Sequence, residues 1–264
     1  AKNNYLKLIP LDSIRGSIYD RNREVLAYDK ATFNISVIPY QIKREKTHLF
    51  KEISESVGYE ENRIHKNYKK NFQNFFSPVD IILNIDKTGA LNLKERFEGK
   101  IVINPQPQRY YPYPYQFSHL LGYVKRAFIS YEKLKKYGYS PLERVGFFGL
   151  EQSYDTYLKG EDGGDLIEID AKGRVVGYLG KRAPKRGKDI QLTIDRDIQN
   201  IASDSLSGKK GVLILMGSET GAILALNSFP SFNPNCFIKG KNTEKFLKSR
   251  HSPMLNRAIN ATYP

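Results

Sequence analysis

Apolar and polar positions alternate along TFNISVI (32–38), and the period of two puts Phe33, Ile35 and Val37 on one face of a strand. Just before it, SIY and EVLA flank the polar DRNR, so the chain opens on strand, turn and strand. The period then changes to that of a helix. Leu49, Phe50, Ile53 and Val57 form one stripe, with Thr47 expected as its cap and Gly58 as its stop. From Tyr59 to Phe76 lysines, asparagines and aromatics mix with no clear period. VDIILNID (79–86) reads as a strand, Ala90 to Phe97 as a short helix and KIVI (100–103) as a further strand. Together they predict a small α+β lobe inserted in a β scaffold.

Four prolines in NPQPQRYYPYPYQ (104–116) exclude a helix or a central strand, which leaves an extended connector or an edge. Its aromatics, Tyr110, Tyr111, Tyr113, Tyr115 and then Phe117, either stack on bases or sugars or pack the segment onto its neighbour. The glycines of LKGEDGGDLIEIDAKGRVVG (158–177) predict short hairpins. GKRAPKRGKD (180–189), basic and bounded by glycine, reads as a linker and sets the expected domain boundary. After it IQLTID is a strand, and Asp195 caps a helix with Ile198, Ile201, Ala202 and Leu206 on one side and Gly208 as its stop. GVLILMG and GAILALNS, joined by SETG, are continuous apolar strands, the pattern of burial on both faces. One hairpin and one helix cannot cover two faces, so this segment is expected to be the beginning of a domain.

Composition narrows the function. Lysine and arginine total 42 against 28 acidic residues, a formal net charge of +14. Such a balance favours anionic partners, yet the basic residues are scattered, and no zinc-finger spacing, RNP-like motif or dense basic helix accompanies them. Nucleic acid is therefore not the expected partner. A single cysteine, Cys236, excludes an intrachain disulfide, and four separated histidines (His48, His65, His119, His251) offer no ligand pair, so neither a metal nor a cofactor is expected. No G-K-[ST] or strand–GxGxxG–helix context supplies a phosphate cradle. The first residues are not a signal peptide and no run of 18 apolar residues occurs, so the chain as given is expected to be soluble.

Serine acyl-transfer chemistry of one kind needs a serine one helical turn before a lysine, then an S-x-N and a K-T-G on neighbouring elements. Matches exist at Ser130 and Lys133, at Ser207 and Lys210, at Ser231 and Asn233, and at Lys87 to Gly89. The order is wrong, because K-T-G comes first, and SGKK straddles a helix stop where serine does not sit above lysine. All four read as chance matches. The carboxylate pairs Asp195 with Asp197 and Glu151 with Asp155 read as helix caps and surface charges rather than an acid–base pair.

The remaining motifs are more informative. RGSIYDRNREVLA (15–27) closely resembles the R-G-x-I-x-D-R-N-G-x-x-L-A signature of class B penicillin-binding proteins. RYYP (109–112), HLLGYV (119–124), GLEQSYDTYLKGEDGG (149–164), LTIDRDIQ (192–199), TGAILAL (220–226), PSFNPN (230–235) and NRAI (256–259) follow in the family's order. HLLGYV and the region from PSFNPN to NRAI look most like the elongation-type branch, penicillin-binding protein 2. The structural residues that these blocks single out are Arg15, Gly16, Asp20, Arg21, Asn22, Arg109, Tyr111, Pro112, His119, Gly122, Gly149, Glu151, Asp195, Asn235 and Arg257. In the first block Gly16 permits close backbone approach, Arg15 is expected to pair with Asp20 across the turn, and Asn22 tolerates a positive φ. Arg23 stands where the family has glycine, so that turn must avoid a left-handed conformation there or accept strain. Asn233 stands where the family commonly has aspartate.

The resemblance implies an α+β chain: an elongated β-rich pedestal over residues 1–180, with an inserted lobe about 45–110. A linker and an incomplete α/β-type penicillin-recognising transpeptidase domain follow over 181–264. It implies a non-catalytic part of a peptidoglycan D,D-transpeptidase of cell-wall synthesis and cell shape. That protein would be anchored in the cytoplasmic membrane by a helix preceding Ala1, with its pedestal on the periplasmic side. Implied partners are a rod-shape scaffold protein and a SEDS-type glycosyltransferase; stem peptides and β-lactams would meet only the complete protein. No residue here matches the family's reactive serine and lysine, its S-x-N or its K-T-G, so the chain is expected to be inactive. A stand-alone periplasmic interaction module and, far behind, a basic nucleic-acid binder are the alternatives.

Overall fold

The computed structural model describes residues 5–72, 74–128, 142–170, 175–239 and 242–262. In chain order its strands are β1 (Tyr5–Leu11), β2 (Ile18–Tyr19), β3 (Val25–Val37), β4 (Val79–Ile85), β5 (Val102–Tyr110), β6 (Tyr123–Phe128), β7 (Leu142–Phe147), β8 (Gly163–Ile169), β9 (Val175–Arg182), β10 (Ile190–Gln191), β11 (Gly211–Met216) and β12 (Ile223–Phe229). The longer helices are α1 (Lys46–Val57), α2 (Glu61–Asn71) and α3 (Lys87–Arg96). A short α4 (Ser118–Leu121), α5 (Gly149–Ser153) and α6 (Asp155–Leu158) follow, then α7 (Arg196–Ser205), α8 (Pro234–Lys239), α9 (Glu244–Leu247) and α10 (Arg257–Asn260). The class is α+β.

The chain divides into two compact units. Ala1–Asp12, Lys30–Gln108 and Asp162–Pro184 form the first, and Ser13–Asp29, Arg109–Glu161 and Lys185–Pro264 the second. One crossing, from Pro184 to Lys185, falls inside the basic segment GKRAPKRGKD.

In the first unit β3 pairs antiparallel with β4, in the register Ile35↔Ile82 and Val37↔Val79, and β5 pairs with β3. Phe33, Ile35 and Val37, at alternate positions near the end of β3, face a core of Leu49, Phe50, Ile53, Ile64, Ile81, Ala90 and Leu93, as the period of two requires. Gly58, at φ 61°, ends α1 where the stripe stops. Two local expectations fail here. Thr47 does not cap α1: the helix begins at Lys46 after a hydrogen-bonded run of turns, so Thr47 already lies inside its first turn. The aperiodic stretch after Tyr59 contains α2. Only Ile64 of that helix is buried, and asparagines secure it, Asn67 and Asn71 donating to the carbonyls of Ile81 and Asp80 at 3.0 and 2.9 Å. β5 takes the proline-rich stretch in extended form, and β1, β8 and β9 make a separate antiparallel sheet.

In the second unit β2 pairs antiparallel with the start of β3 and parallel with β10, while β6 pairs with β7 and β11 with β12. Its core is Ile18, Leu26, Ala27, Tyr111, Phe117, Leu121, Tyr123, Leu158, Ile194, Phe232 and Phe246. Lys185 bridges to Glu161, and the amide of Gly187 donates to the Ile14 carbonyl at 2.9 Å, so this end of the linker is a bonded part of the unit. Asp195 caps α7 as expected, accepting from the amides of Asp197 and Ile198. The buried face of α7 is not the expected one. Gln199, Ala202 and Ser203 are buried and Ile201 is 68 % exposed, because a glutamine that bonds β12 has displaced the aliphatic side. β11 is likewise half uncovered: Ile214, Leu215 and Met216 are exposed, since among the described residues this strand is one edge of a two-stranded sheet. No helix among the described residues is long and apolar enough to cross a membrane.

Candidate functional site

Glu151, in the first turn of α5, is fully buried and gathers residues that are far apart in sequence. Arg15 donates from Nε to Oε2 at 2.7 Å and from a terminal nitrogen to the Glu151 carbonyl at 3.0 Å. Arg109, at the end of β5, donates from Nε to Oε1 at 2.6 Å, and the Tyr111 hydroxyl donates to the same oxygen at 3.2 Å. Arg109 also donates to the Gly16 carbonyl at 2.7 Å, so the backbone beside Arg15 is held from the same centre. Close approach explains the glycine: a Cβ on Gly16 would lie 1.9 Å from the Lys188 carbonyl oxygen.

The charges balance around two further carboxylates. Arg15 pairs with Asp155 at 2.6 Å, and Asp155 accepts from the Gly146 amide at 2.9 Å. Asp29 accepts from the Arg15 amide and from Arg144, both at 3.0 Å, and faces Arg109 at 3.6 Å. Three arginines thus meet three carboxylates. Removing such charges from water costs several kcal/mol per ion, and only full pairing offsets it. Burial raises the Glu151 carboxyl, but Arg109 and Arg15 outweigh it and hold it below the ordinary value. Burial lowers Arg15, yet Glu151 and Asp155 hold it above its ordinary value. Burial, with the Glu151 charge, pushes the Tyr111 phenol well up, so it stays a neutral donor.

Two expectations are overturned here. Arg15 does not pair with Asp20, because its side chain turns inward to Glu151. Glu151 and Asp155 are not surface charges, because α5 and α6 present them to the arginines. Asp20 instead organises its own turn: Oδ1 accepts from the amides of Asn22 and Glu24, each at 2.8 Å, and Oδ2 from the amide of Arg196 at 3.1 Å. The positive φ falls not on Asn22 but on Arg23, at 65°, so the turn accepts the strain that glycine would avoid.

The other singled-out residues form satellites of this centre. Asn22 donates to Asp195 at 3.2 Å, and the Arg21 amide donates to the Ile194 carbonyl at 2.9 Å, so the first block is tied to the start of α7. Asn235 clamps the backbone of Tyr111, next to Pro112. Gly122 (φ 79°) and Gly149 (φ 51°) face each other's chains, and a Cβ on Gly122 would meet the Phe148 carbonyl at 2.1 Å. His119 and Arg257 organise the turn before α10. Sequence reasoning missed Asp29, Arg144 and Gln199. Gln199 was visible as the last residue of LTIDRDIQ; Asp29 carried no signal at all.

The chance matches to an acyl-transfer site are divided between the two units. Lys87 to Gly89 opens α3 in the first unit, capped by Asp86, whereas Ser207 to Lys210 and Ser231 to Asn233 belong to the second. Ser130 and Lys133 lie outside the described residues. No group of three or more histidine, cysteine or acidic side chains is placed to hold a metal among the described residues.

The model of the penicillin-binding protein dimerisation domain matches residues 10–192, the span that holds the whole Glu151 centre. The chain belongs to the penicillin-binding protein family. The peptidoglycan D,D-transpeptidase MrdA of Acinetobacter baumannii is 34% identical over the full chain, and that of Escherichia coli is 29% identical. This penicillin-binding protein chain spans 40% and 43% of those two relatives. Among solved structures, the complex between penicillin-binding protein 2 and MreC from Helicobacter pylori matches with a TM-score of 0.78 and 27% identity. That match covers 99% of this chain and 50% of the solved one.

Proposed function

We propose that the chain is the non-catalytic pedestal of a penicillin-binding protein 2-like peptidoglycan D,D-transpeptidase, together with the start of its transpeptidase domain. It serves cell-wall synthesis and cell shape. The observation that carries this is the Glu151 centre, which joins the first, second and fourth family blocks through buried arginines. Its chemistry is structural: buried arginines and carboxylates paired with one another fix the geometry of the blocks they join.

On this reading the working partner is a rod-shape scaffold protein, supported by the solved relative's complex with MreC, and a SEDS-type glycosyltransferase is a second partner. The location is extracytoplasmic, with a membrane anchor preceding Ala1. Residues 1–180 act as pedestal and 181–264 as the entry to the transpeptidase domain. In the complete protein a serine outside these residues attacks the penultimate D-alanine carbonyl of a stem peptide, releases D-alanine, and passes the acyl group to a second strand's amine.

The test uses a fluorescent penicillin and a scaffold-protein periplasmic domain. The chain is expected to bind the scaffold domain and to remain unlabelled, while the protein that carries the chain in full is labelled once per molecule. Stoichiometric acylation of the chain itself would overturn the non-catalytic assignment, and absence of scaffold binding would overturn the partner.

A further inference from the structure

His119 lies in α4 and is buried, its ring edge-on to Phe232 with centroids 5.3 Å apart. Its Nε2 lies 2.9 Å from the Pro253 carbonyl, and since a carbonyl only accepts, the proton sits on Nε2. Pro253 is itself buried, in the turn that leads to α10. The same turn is held at three other points. Ser228 Oγ donates to the Leu255 carbonyl at 3.3 Å and accepts from the Arg257 amide at 2.9 Å. Asn256 caps α10 through Oδ1 while its Nδ2 faces the His119 carbonyl at 3.5 Å. From the solvent side the Arg257 guanidinium donates to the carbonyls of His251 and Ser252 at 2.8 and 3.2 Å.

α10 is a single turn of four residues with Ile259 exposed. A turn that short has no stability of its own, so its place is set entirely by what holds its start. His119, Ser228 and Asn256 are all buried, and the His119 bond to Pro253 spans 134 residues of sequence.

Resting on the transpeptidase reading above, we propose that His119 is a positioning residue. Its Nε2 proton joins the pedestal block HLLGYV to the transpeptidase-side block NRAI and fixes where α10 starts. The imidazole takes no part in bond making. It acts through Pro253 and Asn256, and the role needs an N–H donor at that point.

The test compares His119→Phe, which keeps a ring against Phe232 and removes the donor, with His119→Gln, which returns an N–H to Pro253. In the protein that carries this chain, exchange of the amides of Arg257, Ile259 and Asn260 is expected to rise about tenfold in His119→Phe, the worth of one hydrogen bond. The amides of α1 keep their rate, and His119→Gln brings exchange back near the wild type. Acylation by a fluorescent penicillin is expected to slow roughly tenfold in His119→Phe, in step with the loosening of α10, and to recover in His119→Gln. Unchanged exchange in His119→Phe, or a rise spread evenly over the chain, would overturn the pin. Altered exchange with unchanged acylation would overturn its positioning role. A wild-type protein that is not acylated at all would sink the transpeptidase reading, while the exchange data still judge the pin.

Discussion

Asn235 grips the backbone of Tyr111 with both ends of its amide: the Tyr111 amide donates to Oδ1 at 3.1 Å, and Nδ2 donates to the Tyr111 carbonyl at 2.9 Å. Only an amide side chain accepts and donates at that spacing. Asn235→Asp is therefore expected to cost nearly as much as Asn235→Ala, about 1 to 3 kcal/mol each, because the carboxylate faces a carbonyl it cannot bond. Urea unfolding of both variants checks it, and an aspartate variant as stable as the wild type would contradict the clamp.

Glu151→Gln leaves the geometry and removes the charge that Arg15 and Arg109 share. Two buried guanidinium groups then lack their common partner, and a loss of roughly 3 to 5 kcal/mol is expected. Removing an exposed pair, as in Lys248→Ala beside Glu244, is expected to cost less than about 1 kcal/mol. Equal effects of the two changes would show that the centre is not energetically special.

Acid sensitivity follows from His119 and Glu151. Burial lowers His119 from 6.5 to about 4, so as pH falls the unfolded chain takes up the proton first. Its contribution is complete above pH 6.5 and is lost on the way down to about pH 4, a change of order 3 kcal/mol. Glu151 is also held low, so its contribution is present above 4.5 and disappears as pH falls through its lower folded value. Unfolding free energy measured between pH 7 and pH 4.5 is expected to decline, with a shallower slope in His119→Phe; parallel slopes would refute this origin.

Arg23 adopts φ 65°, where a side chain costs about 1 to 2 kcal/mol that glycine avoids. Glycine returns part of that gain through its freer unfolded state. Arg23→Gly is thus expected to raise stability by about 0.5 to 1 kcal/mol, seen as a higher melting temperature. A lower one would mean that the arginine makes a compensating contact.

Local pattern determined much of this protein from sequence alone. The alternation of Phe33, Ile35 and Val37, the stop at Gly58 and the cap at Asp195 each depend on neighbours a few residues away, and all are found in the fold, whereas the helix expected to run to Gly208 already ends at Ser205 with Leu206 as its C-cap. The ordered motif blocks likewise pointed to the family through residue identity. Tertiary structure decided what each charged residue does. Arg15 is five residues from Asp20 and 136 from Glu151, and the choice between them rests on burial and pairing, which no local period encodes. Asp29, Asp155 and Gln199 gained their roles the same way, because buried polar side chains bond to the partners that the fold brings to them.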